Sequence, residues 1–226
     1  MEVKGKKSLN DYDYLIMFDL ASKKTGVCVF DLRNKRPEST SLLEVTGKKE
    51  LPVAELKDLI DTFMTSTLSR LSAAKKRILV SFEAMPVQLR GGNSTISTFV
   101  ALARSHAILD DYLFENDWDT YDYVGIYPAS TRAYYYKLRP EDKKLDTDIK
   151  TLVFNFVSAE YNLKDKIALD ESDAVFLAKT LIDVKWNNDL AELIREKKRH
   201  KKTLKAPHAI KKIDDDIAFL QSLTVD

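Results

Sequence analysis

The sequence predicts an α/β fold: a mixed five-stranded sheet with helices on both faces, followed by a helical C-terminal extension. Three observations carry this reading. Two apolar segments near the N-terminus, residues 14–20 and 25–32, lie close enough together for a tight antiparallel hairpin. Beyond residue 51, segments of helical and of strand character alternate, which is the pattern of parallel strands joined by helices. The last 40 residues or so keep a helical pattern and contain a strongly basic run over 195–212.

The elements follow in order. Residues 14–20 (YLIMFDL) read as a buried strand, and 25–32 (TGVCVFDL) as its antiparallel partner. Residues 41–46 suit a third strand. Residues 51–74 carry Leu56, Leu59, Ile60, Phe63 and Met64 at helical spacing. Residues 77–83 (RILVSFE) form a strand that ends before Pro86. A loop containing Gln88, Arg90 and the only glycine pair, Gly91-Gly92, leads into a helix over 94–115 with Phe99, Leu102, His106 and Leu109. Residues 121–127 form a short strand closed by Pro128. Residues 145–161 and 171–184 are helical, and 186–225 suit two further helices. No repeat or low-complexity linker interrupts the chain. The expected division is an α/β domain over 1–186 and a basic helical extension over 187–226.

The chain has 226 residues and a formal net charge of +1. That balance is uneven. Residues 195–212 hold nine Lys and Arg against one Glu, and the rest of the chain is acidic. A local basic excess of this kind is suited to polyanions, whereas the acidic body calls for its own explanation. The single cysteine, Cys28, excludes an internal disulfide and a thiolate zinc cluster, and points to a reducing cytoplasm. No apolar run approaches the roughly 20 residues of a membrane span. The six glycines form no phosphate-cradling loop. Neither a membrane nor a small-molecule substrate is expected.

The acidic residues are placed in a telling way. Asp19 ends the first apolar strand and Glu83 ends the strand over 77–83. Strand ends of this kind open onto the crevice where open α/β sheets bind ligands. Asp170 and Asp173 stand three apart at the start of an apolar helix and so share one face. Gathered carboxylates repel one another unless a cation offsets them. Hard divalent ions such as Mg²⁺ or Mn²⁺ favour such oxygens, and two of them can drive phosphodiester hydrolysis. Taken singly, the same residues suit other roles: Asp170 as a helix cap, Asp19 as a hairpin-turn residue, Glu83 as a lysine partner.

The segments Ile16-Met-Phe-Asp-Leu-Ala-Ser-Lys-Lys-Thr-Gly-Val-Cys-Val, Val80-Ser-Phe-Glu and Asp170-Glu-Ser-Asp-Ala-Val together resemble the RuvC Holliday-junction resolvases. The long helix carrying Ala101-Leu-Ala-Arg-Ser-His-Ala resembles that family's second helix. The likeness covers about residues 14–184 and is strongest toward the RuvC-like endonucleases of lactococcal phages. It implies an RNase H-like fold, a homodimer, and an endonuclease that nicks four-way DNA junctions symmetrically with two Mg²⁺ ions, for which Mn²⁺ can substitute. It assigns Asp19, Glu83, Asp170 and Asp173 as catalytic metal ligands and a cytoplasmic site of action, the host's if the gene is a phage's. The sequence departs from the family at three points. Asp19-Leu-Ala replaces Asp-Pro-Gly, Pro86 stands where an aromatic residue is usual, and Tyr134-Tyr-Tyr-Lys-Leu-Arg-Pro replaces a glycine-rich loop.

Basic side chains near these motifs are the expected DNA contacts. They are Lys23 and Lys24 after the first strand, Gln88 and Arg90 in the loop, and Arg132, Lys137, Arg139, Lys143 and Lys144 around three tyrosines. In the tail they are Lys197, Lys198, Arg199, Lys201 and Lys202. Tyr134, Tyr135 and Tyr136 suit either unstacked bases or helix packing. His106 and Cys28 read as packed core residues. Two other classes compete with the nuclease: a sugar-kinase-like ATPase, which the few glycines disfavour, and a junction-binding protein without catalysis. A broader flap or fork nuclease is the nearest alternative.

Overall fold

The computed structural model describes residues 11–21, 23–46, 53–85, 96–116, 123–126, 128–163 and 166–185, and within the tail 194–195, 197–202, 210–211, 213–215 and 217–218. The chain divides into two compact units, residues 1–178 and 179–226.

The first unit is built on β1 (Tyr14–Asp19), β2 (Lys24–Asp31), β3 (Arg36–Glu44), β4 (Ile78–Glu83) and β5 (Tyr123–Ile126). The strands lie in the order β3-β2-β1-β4-β5. β1–β2 and β2–β3 are antiparallel, whereas β1–β4 and β4–β5 are parallel. The parallel pairs need crossovers, and these are α1 (Val53–Ala73) and α2 (Ile96–Glu115). β1 is apolar throughout its interior because helices cover both of its faces, and its four central residues are buried. β3 is an edge strand and is mostly polar, with a single buried residue, as an edge that must resist further pairing should be.

Side-chain alternation sorts the sheet into two faces. Ile16, Phe18, Val27, Val29, Ile78 and Val80 pack in one cluster with Leu56, Ile60 and Met64 of α1 and Leu109 and Leu113 of α2. The odd-numbered positions of β1 and β4 and the even-numbered positions of β2 therefore face the other way. There lie α4 (Ile149–Glu160) and the start of α5 (Leu169–Thr180). Phe30 of β2 meets Tyr161 edge-on, and Gly26 of β2 lies under the backbone of Asp170. Asp19 and Glu83 share this second face at the carboxyl ends of two adjacent parallel strands.

Several boundaries differ from expectation. β3 starts at Arg36 rather than residue 41, because an edge strand needs no apolar alternation; Pro37 is tolerated there beside a register shift at Val29/Phe30. Pro128 does not merely close a strand. It opens α3 (Pro128–Leu138), an unexpected helix, since proline at the first helical position gives up an N–H that has no partner in any case. A 3₁₀ turn, Pro140–Lys144, then takes up residues before α4, which begins at Ile149 rather than 145. Cys28 and His106 are buried, as expected.

The second unit begins in the last turn of α5. It holds a π-helical turn, Leu181–Lys185, and helical residues within 194–202 and 210–218. Lys179 pairs with Asp183 at 3.1 Å, and Lys201 with Asp214 at 2.7 Å. Among the described residues, no helix is long and apolar enough to cross a membrane.

Candidate metal centre

Asp19, Asp170 and Asp173 each offer a carboxylate oxygen, and these atoms all lie within 4.8 Å of one another. Glu83 lines the same cavity, of about 290 Å³, together with Asp19 and Asp173. Strand ends bring in the first two, for the reason of alternation given above. The start of α5 brings in the others, and its capping explains why they are available. The Glu171 carboxylate accepts the Ala168 N–H at 2.7 Å, so Glu171 reaches back to cap the helix. Asp170 instead accepts a hydrogen bond from the Lys150 ammonium at 3.2 Å. Gly26, the cross-strand partner of Asp19, allows this closeness: a Cβ built there would stand 1.9 Å from the Asp170 carbonyl oxygen.

The electrostatics are those of a crowded anionic site. Burial, then the charges of Glu83 and Asp173, hold the Asp19 carboxyl well above the usual carboxylate range. Burial, then Asp173, raises Glu83 against the opposing pull of Lys150 and Arg132. Burial also raises Asp173, with Lys150 opposing. Lys150 is the counter-charge. Its Nζ lies 2.9 Å from Asp173 and 3.2 Å from Asp170. Burial works against the ammonium, but Asp173, Asp19 and Asp170 together raise its pKa. Four carboxylates against one ammonium leave uncompensated negative charge, and all the donors are hard oxygens. That set fits a divalent cation of the Mg²⁺ or Mn²⁺ type.

The cavity is also lined by Thr131 and Arg132 of α3 and by apolar side chains that include Val153, Phe176 and Leu177. Sequence reasoning missed Lys150 and Thr131. A lone lysine or threonine on a helix carries no spacing signal, and α3 itself was not anticipated.

The expected DNA contacts fall in several places. Lys23 is exposed. Lys24 belongs to β2 rather than the turn and pairs with Glu44 at 3.1 Å. Gln88, Arg90 and Pro86 lie outside the described residues. Arg132 is exposed at the cavity rim. Lys137 and Lys144 are exposed on α3 and the 3₁₀ turn, Arg139 pairs with Glu141 at 2.7 Å, and the Lys143 ammonium lies 5.9 Å from the Tyr136 ring centre. In the tail, Lys198, Arg199 and Lys202 are exposed, Lys197 is half-buried, and Lys201 is engaged by Asp214. Tyr135 is core: it is 1% exposed, it packs edge-on against Phe156 and Phe176, and its hydroxyl donates to Asp142 at 2.6 Å. Tyr134 stacks on Phe176. Helix packing thus accounts for both rings.

No protein-family model and no curated protein matches the chain. Solved structures do resemble it over 74% of its length. One is T. thermophilus RuvC in complex with Holliday junction substrate, with 11% identity, a TM-score of 0.47 and 90% of that chain covered. Another is the Thermus thermophilus RuvC structure, with 13% identity, a TM-score of 0.48 and 92% covered. A third is the yeast mitochondrial Holliday junction resolvase Ydc2, with 12% identity, a TM-score of 0.45 and 76% covered.

Proposed function

We propose that the chain is a metal-dependent, structure-selective endonuclease with an RNase H-like fold that resolves four-way DNA junctions in the cytoplasm. One observation carries the reading: three aspartates from β1 and α5 present oxygens within 4.8 Å of one another, with Glu83 in the same cavity. The sequence likeness to RuvC resolvases supplies the substrate class. Asp19, Glu83, Asp170 and Asp173 would hold two Mg²⁺ or Mn²⁺ ions between them. Such ions supply a nucleophilic water and stabilise the leaving oxygen, giving a 5′-phosphate and a 3′-hydroxyl.

The chain's own residues do the rest. Arg132 at the rim offers a guanidinium to the phosphate backbone. Lys150, at half exposure, can pass its charge from the carboxylates to an incoming phosphate once cations neutralise the cluster. Exposed Lys23, Lys137 and Lys144 extend the cationic surface, and the basic extension over 187–226 adds backbone contacts of its own.

Symmetric nicking needs two copies. On α2, Val100, Ala107 and Phe114 are exposed at seven-residue intervals, and Phe114 is 82% exposed. Such a stripe suits an isologous helix pair. The departures from the family around Pro86 and Tyr134–Pro140 favour a second reading, a branched-DNA nuclease that also accepts forks and flaps.

The test is cleavage of a synthetic four-way junction, a fork and a linear duplex in Mg²⁺, Mn²⁺ and EDTA. Paired nicks on the junction with either metal and none in EDTA are expected, and Asp19→Asn should bind but not cut. A junction bound yet never cut would overturn the enzymatic reading. Equal cutting of all three substrates would overturn its selectivity.

A further inference from the structure

Asp19, Glu83 and Asp173 line the cavity, and Thr131, which lines it too, carries a group with nothing to do. The Thr131 Oγ1 is buried and has no hydrogen-bond partner among the described residues. Helical threonines usually return their hydroxyl to the carbonyl three or four residues back or point it to solvent. This one does neither, and Thr131 is a lining residue of the cavity together with Arg132, Asp19, Glu83, Asp173 and Lys150. A buried hydroxyl left unpaired is costly, so such a group needs a ligand or an ordered water to be explained. None of the carboxylates accepts a hydrogen bond from it, and Lys150 is the group that pairs with Asp170 and Asp173.

A phosphodiester in this cavity would turn some oxygens toward the carboxylates and their cations. Its remaining oxygens would face α3. Arg132 is exposed there and offers charge without a fixed seat. The hydroxyl one residue earlier is buried and without a partner. We propose that Thr131 is a substrate-contact residue whose hydroxyl donates a hydrogen bond to a phosphate oxygen of the DNA strand, beside the Arg132 guanidinium. The assignment deepens the nuclease reading and rests on it. A charged oxygen is the natural acceptor, because charge-assisted hydrogen bonds are roughly twice as strong as neutral ones.

The experiment compares wild type, Thr131→Val, Thr131→Ser and Arg132→Gln in thermal melts without DNA, in junction binding in EDTA across a salt series, and in cleavage with Mg²⁺. Valine keeps the shape and removes the hydroxyl. Thr131→Val should melt at or above the wild-type temperature, because it deletes an unpaired polar group. It should bind and cut about tenfold more poorly, the cost of one hydrogen bond to a charged group. Its slope of log affinity against log salt should be unchanged, whereas Arg132→Gln should flatten that slope by roughly 0.9. Thr131→Ser, which keeps the hydroxyl, should restore most of the lost affinity. The proposal is overturned if Thr131→Val equals wild type in binding and cleavage, if it melts lower, or if Thr131→Ser is as poor as valine. A wild-type protein that neither binds nor cuts junctions overturns the nuclease reading itself, and the Thr131 contact with it; the wild-type control separates the two failures.

Discussion

The Lys150 ammonium lies 2.9 Å from Asp173 and 3.2 Å from Asp170, so a side chain from α4 spans the two aspartates that open α5. It stands where cationic charge is most needed, with Asp19 also acting on it. The contact stabilises a cluster that repels itself, and it joins two helices that meet on one face of the sheet. It also sets up a competition, since cations bound by Asp170 and Asp173 must take over the role of the ammonium.

Lys150→Met tests this. Methionine keeps most of the stem and removes the charge. Without divalent cations the variant should lose about 1 kcal/mol, roughly 2–4 °C in melting temperature for a chain of this size. Mg²⁺ should then raise its melting temperature by more than it raises that of wild type. An identical Mg²⁺-induced shift in both proteins would show that the ammonium does not compete for the cluster. Junction cleavage should fall, because the lysine also serves the phosphate.

Gly26→Ala tests how α5 is held against the sheet. The added methyl would meet the Asp170 carbonyl oxygen at 1.9 Å, and that oxygen is backbone, so the helix start must move. Overpacking of this kind costs about 1–3 kcal/mol. The displaced helix carries Asp170 and Asp173, so Mn²⁺ affinity should drop along with stability. Calorimetric titration with Mn²⁺ measures this, with Ser39→Ala on the exposed edge strand as the control. Unaltered Mn²⁺ affinity in Gly26→Ala would mean that the close approach does not position the carboxylates.

How far the sequence could lead depended on whether a residue sat in a periodic context. Asp19 and Glu83 were legible because each ends an apolar run, and the parallel pairing of β1 with β4 puts both at one edge. Asp170 and Asp173 were legible from their spacing. Their freedom from capping was not, because it depends on Glu171 reaching back to Ala168. α3 was hidden: Pro128 reads equally well as the end of a strand or the start of a helix, and three successive tyrosines have no helical periodicity. With α3 hidden, the lining supplied by Thr131 and Arg132 was hidden too. Lys150 was invisible for a different reason. Its role comes from the packing of α4 beside α5, a tertiary fact that no local pattern encodes.

Tyr135→Phe separates packing from DNA recognition. The Tyr135 hydroxyl donates to Asp142 at 2.6 Å, and Asp142 is itself buried. Removing the hydroxyl leaves that carboxylate short of a donor and should cost about 1–3 kcal/mol of stability. Junction affinity and its salt slope should be unchanged at temperatures where both proteins are folded. A loss of affinity without a loss of stability would return Tyr135 to the DNA surface.

Acid sensitivity should arise at the opposite end of β1. Asp13 accepts the Arg77 N–H at 3.0 Å and pairs with Arg33, and its side chain is 6% exposed. The Arg77 hydrogen bond lowers its pKa below the ordinary 3.8, with burial opposing and Arg33 and Lys76 assisting. A carboxyl whose folded pKa is depressed binds fewer protons when folded than when unfolded in that range. Its contribution is therefore fully present above about pH 4 and is lost as pH falls through the folded value. Asp31, also depressed, acts in the same window. Asp13→Asn should cost about 1 kcal/mol or more at pH 7, since the amide keeps the Arg77 contact but loses the charge beside Arg33. The gap between wild type and variant in urea melts should narrow as pH falls below about 4 and the wild-type carboxyl takes up its proton. A gap of constant size across that range would show that the Asp13 charge contributes nothing to the fold.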